Sequence, residues 1–348
     1  MHGEHSLADD PGWLDDEPAA AGRGAEGLMP APVLIIAAAD DWPTDRVVVE
    51  LERSGAEVFR MDTADFPQQL ALAGRIDQGT AWTGDLSTEH RIVDLSRVGA
   101  VYYRAPGAFQ FPQGMSGPEE RFAAAQARAG LGGVLSSLGC RWMNHPTAMA
   151  RAEYKPVQLS EARTCGLRIP PTLITNRPED VRTFAETVGE VVYKPVASPV
   201  LIEDGQLKSV YTRRLRRDDL KDLRGIETTA HLFQAWVNKD HEVRLTTVGD
   251  QIFAAAIHAG SKDAHEDWRS DYGSLTYTST LVPTQVAAGM QRLMGRLNLR
   301  YGAADFIVGP DGQWTFLEVN PCGQWDWIQG ATGLPIAAAI ADDLQGAT

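Results

Sequence analysis

Cysteine is scarce in this chain. Cys140, Cys165 and Cys322 are the only three thiols in 348 residues, they lie far apart, and none forms a CxxC pair. A disulfide framework and a zinc ribbon are thereby excluded, and a reducing cytoplasm is the expected setting. Long apolar runs are also missing. Nothing approaches the roughly 20 residues needed to cross a bilayer, and the N-terminus has no basic region followed by an apolar one, so neither membrane insertion nor export is expected. Bases are short as well: 32 Lys and Arg stand against 46 Asp and Glu, a net charge of −14. That sign is wrong for a nucleic-acid partner, which selects a basic surface. Residues 1–30 hold seven acids and one arginine, so the remaining body carries −8, which is ordinary for a cytoplasmic enzyme.

What is present is enough for two or three packed units, with 43% hydrophobic residues and no repeat of fixed period. The acidic first thirty residues bury too little to offset chain ordering and read as a disordered tail. At residues 33–39 the run VLIIAAA reads as a buried strand. A proline-started helix ending at Gly55 and a strand at 57–61 complete a βαβ opening. A strand at AVYYR (100–104), a helix at 119–138 and a short strand around Trp142 extend this α/β unit to about residue 145. Helical segments on either side of Pro156, the second closed by Gly166, lead into a strand-rich region. Strands are expected at 190–195, 207–212, 231–237, 242–248, 251–258, 303–308 and 314–319, and helices at 218–223, 283–297 and 334–344.

The sharpest chemical signal is ADFIVGPDGQWTFLEVN, residues 304–320. A hairpin turning between Pro310 and Asp311 pairs Asp305 with Phe316. Alternation then brings Asp305, Glu318 and Asn320 out on one face, with Phe306, Val308, Leu317 and Val319 on the other. Two carboxylates and an amide on otherwise apolar strands suit Mg²⁺, which takes a few oxygen ligands and keeps phosphates for the rest. The competing reading, that Glu318 and Asn320 only cap the hairpin, leaves their desolvation uncompensated. Lys194 ends the apolar strand in EVVYKPV, where Pro195 stops the ladder. With Lys155 it can hold nucleotide phosphates as point charges, although each lysine alone reads equally as a solvated surface residue. A polar break at Asn238–Asp240 lets the backbone of Gln234, Ala235, Trp236 and Val237 face a flat base. Glu242 and Arg244 share a strand face beyond it; Arg244 suits a transferring phosphate, and a surface ion pair is the competing reading.

The order and types of these residues resemble the ATP-grasp superfamily over residues 147–330. The features YKPVAS, YTRRL, FQAWVNKDHEVRLTTVG, DWRSDY and FLEVNPCGQWDWIQ running into GLPIAAAIADDL are similar to the ATP-grasp ribosomal-peptide maturases, the microviridin-type graspetide synthetases, especially their actinobacterial branch. The resemblance implies an α/β fold with α+β lobes, a pre-ATP-grasp domain at 31–145, a central lobe at 146–237 and a C-terminal lobe with the metal site at 238–348. Nucleotide would lie between two sheet-containing lobes, with ATP and Mg²⁺ as cofactors. It implies Lys155 and Lys194 on phosphates, Gln234 to Val237 at the adenine, Lys239 with Glu242 at the nucleotide, and Arg244 near the γ-phosphate. Asp305, Glu318 and Asn320 would hold magnesium, and Arg244, Glu318 and Asn320 would carry catalysis. The implied activity is phosphorylation of Asp or Glu side chains of a ribosomal precursor peptide, with leader and core, and closure of ester or amide macrocycles. A ligase adding a free amino acid to a small molecule or protein terminus is the alternative. The stretch VASPVLIEDG stands where many members carry a glycine-rich loop.

Weaker signals keep two readings each. Arg213 and Arg214 open a basic run that suits an acidic precursor or a solvated, ion-paired helix. Asp267, Trp268 and Arg269 suit either an acceptor pocket or loop packing. Cys322 reads as a small apolar residue rather than a nucleophile, Trp325 and Trp327 as packing, and His258 and His265 as ordinary histidines. Oligomeric state is open, a homodimer included.

Overall fold

The computed structural model describes residues 31–197, 200–203 and 206–346. The acidic stretch 1–30, read above as a disordered tail, lies outside them. The chain opens with β1 (Val33–Ala37), α1 (Trp42–Arg53) and β2 (Val58–Met61). Asp41 caps α1 by accepting from the Thr44 amide at 3.0 Å, and Pro43 sits in the first turn, where its missing N–H costs nothing. Strands β3 (Ala71–Arg75), β4 (Thr83–Ser87) and β5 (Ile92–Asp94) form a small antiparallel sheet that was not expected. Their segments ALAGR and TGDLS lack apolar alternation. Gly84 is essential to their crossing, because at φ 120° a Cβ there would stand 1.9 Å from the Ala73 carbonyl oxygen.

Next come β6 (Ala100–Arg104), α2 (Gly117–Ser136) and β7 (Arg141–Met143). The first parallel sheet has the order β2-β1-β6-β7. Alternation along β1 supplies both faces: Leu34 and Ile36 pack with Leu131, Val134 and Leu135 of α2, whereas Val33 and Ile35 pack with Val47 and Leu51 of α1.

Two short helices follow, α3 (Pro146–Ala152) and α4 (Lys155–Thr164). Pro156 therefore begins α4 instead of interrupting a helix. The second sheet draws on β8 (Thr172–Thr175), then, after α5 (Pro178–Val188), on β9 (Val191–Lys194). Two antiparallel strands, β10 (Val200–Glu203) and β11 (Gln206–Ser209), begin within the stretch that stands in place of a glycine-rich loop. After β12 (Arg213–Arg214) and α6 (Arg217–Lys221), β13 (His231–Ala235) completes the order β12-β9-β13-β8.

The third sheet is antiparallel, β16-β15-β14-β17-β18. It is built from β14 (His241–Val248), β15 (Gln251–Ala259), α7 (Lys262–Glu266), β16 (Leu275–Ser279), α8 (Thr284–Leu297), β17 (Tyr301–Val308) and β18 (Trp314–Asn320). Leu293, Met294 and Leu297 of α8 cover one face with Leu159 and Ala162 of α4. The chain ends in α9 (Asp326–Thr332) and α10 (Ile336–Gln345), and Ile336, Ile340 and Leu344 share the core of α1 and the first sheet. Among the described residues no helix is long and apolar enough to cross a membrane.

The β17–β18 hairpin corrects the expected register. Asp305 pairs with Glu318, not Phe316; a bulge between Asp305 and Phe306 then shifts the pairing so that Phe306 faces Phe316. The extra residue is Leu317, which leaves the core face assigned to it and lines the cleft described below. Phe316 moves into the core, where it meets Phe306 edge to face at 5.5 Å. Burying that ring while keeping Glu318 on the polar face requires the added residue.

Phe316→Ala should cost about 3–5 kcal/mol of stability, the usual range for emptying a fully buried aromatic site. Guanidinium denaturation followed by tryptophan fluorescence measures it, and a loss near zero would contradict the packing described here.

Candidate active site

The bulged register lines up charges across three neighbouring strands. Arg244 of β14 pairs with Asp305 of β17, which pairs with Glu318 of β18. Asn320 lies on the same face, opposite Ala303. Arg244 Nε stands 2.7 Å from Asp305 Oδ1, and Arg269 Nη2 stands 2.6 Å from Asp305 Oδ2 and 3.5 Å from Glu318 Oε1. Lys155, at the start of α4, pairs directly with Glu318. Asp305 is buried between two guanidiniums, while Glu318 is one-fifth open.

Burial by itself pushes the Glu318 carboxyl up, but the charges of Lys155 and Arg269 outweigh it and hold the group down at about 2. Lys194 is pulled down by burial, against the opposing pull of Glu318 and Glu242. Glu242 is pushed up by burial and restrained by Lys239, which pairs with it.

Asp305 Oδ1 and Arg244 Nε are buried, yet neither has an aligned hydrogen-bond partner. Their 2.7 Å approach is a charge contact without a directed bond. A carboxylate oxygen with an uncommitted lone pair, a second carboxylate and an amide make a hard-oxygen donor set. Among the described residues no three His, Cys, Asp or Glu side chains form a metal site on their own. The residues thus fit a hard divalent cation whose shell is completed by oxygens from elsewhere.

Beside this row lies a cleft between the second and third sheets. Val192, Ile307 and Leu317 give it apolar walls, and Gln234, Ala235, Trp236 and Val237 line it where β13 ends. Lys194, Lys239, Glu242 and Arg269 bring charge to it. β13 ends here: the Trp236 amide donates to the Glu190 carbonyl, and the Asp240 amide picks up Val308 at 2.8 Å, starting the next sheet. Flat apolar walls beside cations and an acidic row can accept an aromatic ring carrying an anionic tail.

Residues 32–150 match the family model described as the MvdD pre-ATP grasp domain. The whole described chain resembles solved structures. One is a RiPP-associated ATP-grasp ligase of Chryseobacterium gregarium in complex with ADP and a leader and core peptide, at 27% identity and TM-score 0.84, covering 91% of this chain and 97% of that one. Another is the macrocyclase MdnC of Microcystis aeruginosa MRC bound with the precursor peptide MdnA, at 29% identity and TM-score 0.79, covering 90% and 99%. A third is the ATP-grasp ligase PsnB complexed with minimal precursor, Mg and ADP, at 25% identity and TM-score 0.71, covering 90% and 96%. The chain has the ATP-grasp fold. No curated protein matches it.

Within this ATP-grasp fold, Lys155, Lys194, Gln234 to Val237, Lys239, Glu242, Arg244, Arg269, Asp305 and Glu318 gather at the cleft and the charged row. The basic run mostly does not. Arg213 pairs with Asp219 at 2.5 Å, and Lys221 with Asp218 at 2.7 Å, which is the ion-paired surface reading. Arg214 pairs with Glu190 and stacks 4.4 Å above Trp236, just past the end of β13. Trp268 is packed against Trp327 and Tyr272, each at 5.5 Å, and serves as a platform for Arg269 at 4.6 Å. Burial pushes the Cys322 thiol up, in keeping with an inert residue.

Several contributors escaped sequence reading. Ile307 was accessible to it, since alternation from Asp305 places it on the cleft face. Asp267, expected beside Trp268 and Arg269, also accepts from the Thr212 amide at 3.1 Å, a tether between segments 55 residues apart that no local pattern signals. Arg104, read only as the end of a strand, is buried and holds Asp41 at 2.9 Å and the Gln324 side chain at 2.7 Å. It fixes the turn that follows Asn320.

Asp305→Asn strips the counter-charge from Arg244 and Arg269. Thermal or urea unfolding should register a loss of roughly 3 kcal/mol, the low end for breaking a buried pair because Arg269 is partly open to water. Glu318→Gln, nearer the surface, should cost clearly less, and the reverse ranking would contradict the burial assigned to the two carboxylates.

Proposed function

We propose that this chain is an ATP-dependent ligase that activates Asp or Glu side chains of a ribosomal precursor peptide and closes them onto Thr, Ser or Lys side chains as ester or amide macrocycles. The observation that carries the reading is the Arg244–Asp305–Glu318 row standing beside the cleft. Its support from likeness is that the Chryseobacterium ligase and MdnC, similar over nine-tenths of this chain, are proteins bound to precursor or to leader and core peptides.

In this reading the adenine lies between Val192 and the Ile307–Leu317 wall against the backbone of Gln234 to Val237. Lys239 and Glu242 face the ribose, and Lys155 and Lys194 take phosphate oxygens. Asp305, Glu318 and Asn320 hold Mg²⁺, which when bound supplies charge neutralisation at the phosphates. Arg244 and Arg269 face the transferring phosphoryl group with directed donors. The peptide carboxylate oxygen attacks the γ-phosphorus and ADP leaves. The hydroxyl or amine then attacks the acyl carbon, phosphate leaves with the acyl C–O pair, and the nucleophile's proton is released. Guanidiniums fixed in a poorly hydrated pocket stabilise the oxyanion of that second step without reorganising.

We assign residues 31–145 to the pre-ATP-grasp unit, 146–237 to the central lobe and 238–348 to the C-terminal lobe, in a cytoplasmic enzyme. The metal trio and the catalytic roles of Arg244, Glu318 and Asn320 belong to the same proposal.

Incubation with ATP, Mg²⁺ and the cognate precursor should lower the peptide mass by one water per bond and release one ADP for each. Glu318→Ala should reduce ADP release by at least roughly a hundredfold, as expected for loss of a group that supports the transition state. A mass increase would instead point to addition of a free amino acid, and wild-type turnover by Glu318→Ala would remove the metal assignment.

A further inference from the structure

β18 is an edge strand, and its outer edge is completed by groups that are not strands. The Phe316 amide donates to the Arg168 carbonyl at 2.8 Å. At Val319 the buried carboxamide of Gln158 takes the part of a neighbouring peptide group: Oε1 accepts from the Val319 amide at 2.8 Å and Nε2 donates to the Val319 carbonyl at 2.9 Å. Gln158 Nε2 also donates to the Ala152 carbonyl, which ties the same amide to the end of α3. One residue beyond Asn320, Asn144 Nδ2 donates to the Pro321 carbonyl at 2.8 Å.

The register at this point has alternatives. Continuing the outer pairing of Phe306 with Phe316 past the bulge would set Leu317 opposite Asp305 and turn Glu318 onto the core face beside Ala304. Extending the inner pairing outward instead would keep Glu318 opposite Asp305 but set Leu317 opposite Phe306 and turn Phe316 out of the core beside Ile307. Only the bulged pairing sets the two carboxylates side by side while Phe316 stays in the core. The bonds from Gln158 to Val319 hold the inner pairing, in which the Val319 amide and carbonyl point outward, and the Phe316 bond to Arg168 holds the outer pairing on the far side of the bulge. Lys155 lies three residues before Gln158 on the same face of α4, and the two grip consecutive residues, Glu318 and Val319.

We propose that Gln158 is a positioning residue that locks β18 in its bulged register, and so keeps Glu318 opposite Asp305 and within reach of Lys155. It touches no substrate and acts through the strand. The inference rests on the nucleotide reading above only for its functional consequence; the register lock belongs to the ligand-free chain.

The test uses Gln158→Met, which keeps the bulk and removes the amide, with Leu159→Ala on the same helix as a destabilised control that leaves β18's edge untouched. Three backbone groups, the Val319 amide and carbonyl and the Ala152 carbonyl, would lose this partner, so Val319 amide exchange in the ligand-free full chain should quicken by roughly a hundredfold. The Kd for the magnesium complex of a non-hydrolysable ATP analogue should rise by about tenfold or more. Leu159→Ala should lower the unfolding temperature without changing either quantity. Unchanged Val319 exchange in Gln158→Met overturns the lock, as does an equal loss of affinity in Leu159→Ala. If Gln158→Met does not fold, Gln158→Asn, which withdraws the amide by one methylene, carries the same expectations. A wild-type chain that binds no analogue would defeat the nucleotide reading, while the exchange comparison would still decide the lock.

Discussion

Mutual neutralisation of charge out of water is the constraint on which this structure turns. Lys155, Arg244, Arg269, Asp305 and Glu318 arrive from five separate segments and meet where none could stand alone. An ion left unpaired in such a place costs several kcal/mol, so the helix α4, the segment carrying Arg269 and the three strands must be seated together or not at all. The row is also self-sufficient without ligand: each carboxylate already has cations, and each of these cations has a carboxylate. A nucleotide and a divalent ion would have to enter as exchanges of partner, the phosphates taking over cations and the ion taking over carboxylates.

The remaining architecture keeps that row rigid while leaving one side open. α8 and α4 press on the core face of the third sheet, and α10 returns to the first sheet, so the strands carrying the charges are backed by two cores. The opposite face meets the second sheet only across the cleft and at tethers such as Asp267 with Thr212. Arg104 reaches from the first sheet to the turn after Asn320, tying the first sheet to the end of the strand that carries Glu318 and Asn320.

How much of this was legible in the residues depended on the range of the signal. Local patterns were readable: the apolar run of β1, the proline-started α1, the Pro310–Gly312 turn, and the alternation that sets Asp305, Glu318 and Asn320 on one face. The ATP-grasp resemblance followed from the order of those patterns. The small sheet β3–β5 was not readable, because glycines and polar residues replace strand-forming ones where the strands cross closely. The bulge was not readable either. A hairpin counted from its turn gives a uniform register, and only the competition of Phe316 for the core reveals the extra residue. Partners chosen in three dimensions were the least accessible. Nothing in the local sequence of Arg269 says that it bridges carboxylates 36 and 49 residues away. The basic run at 212–224 shows the opposite lesson, since a conspicuous cluster of arginines is largely consumed by acids from its own neighbourhood.

Magnesium binding measured calorimetrically, with the chain either free or saturated with a non-hydrolysable ATP analogue, tests the partner-exchange account most directly. Because Lys155 and Arg269 already neutralise Glu318 and Asp305, the free chain should take up Mg²⁺ at least about tenfold more weakly than the nucleotide-loaded chain, a coupling of the usual allosteric size. Equal affinity in the two states would contradict it.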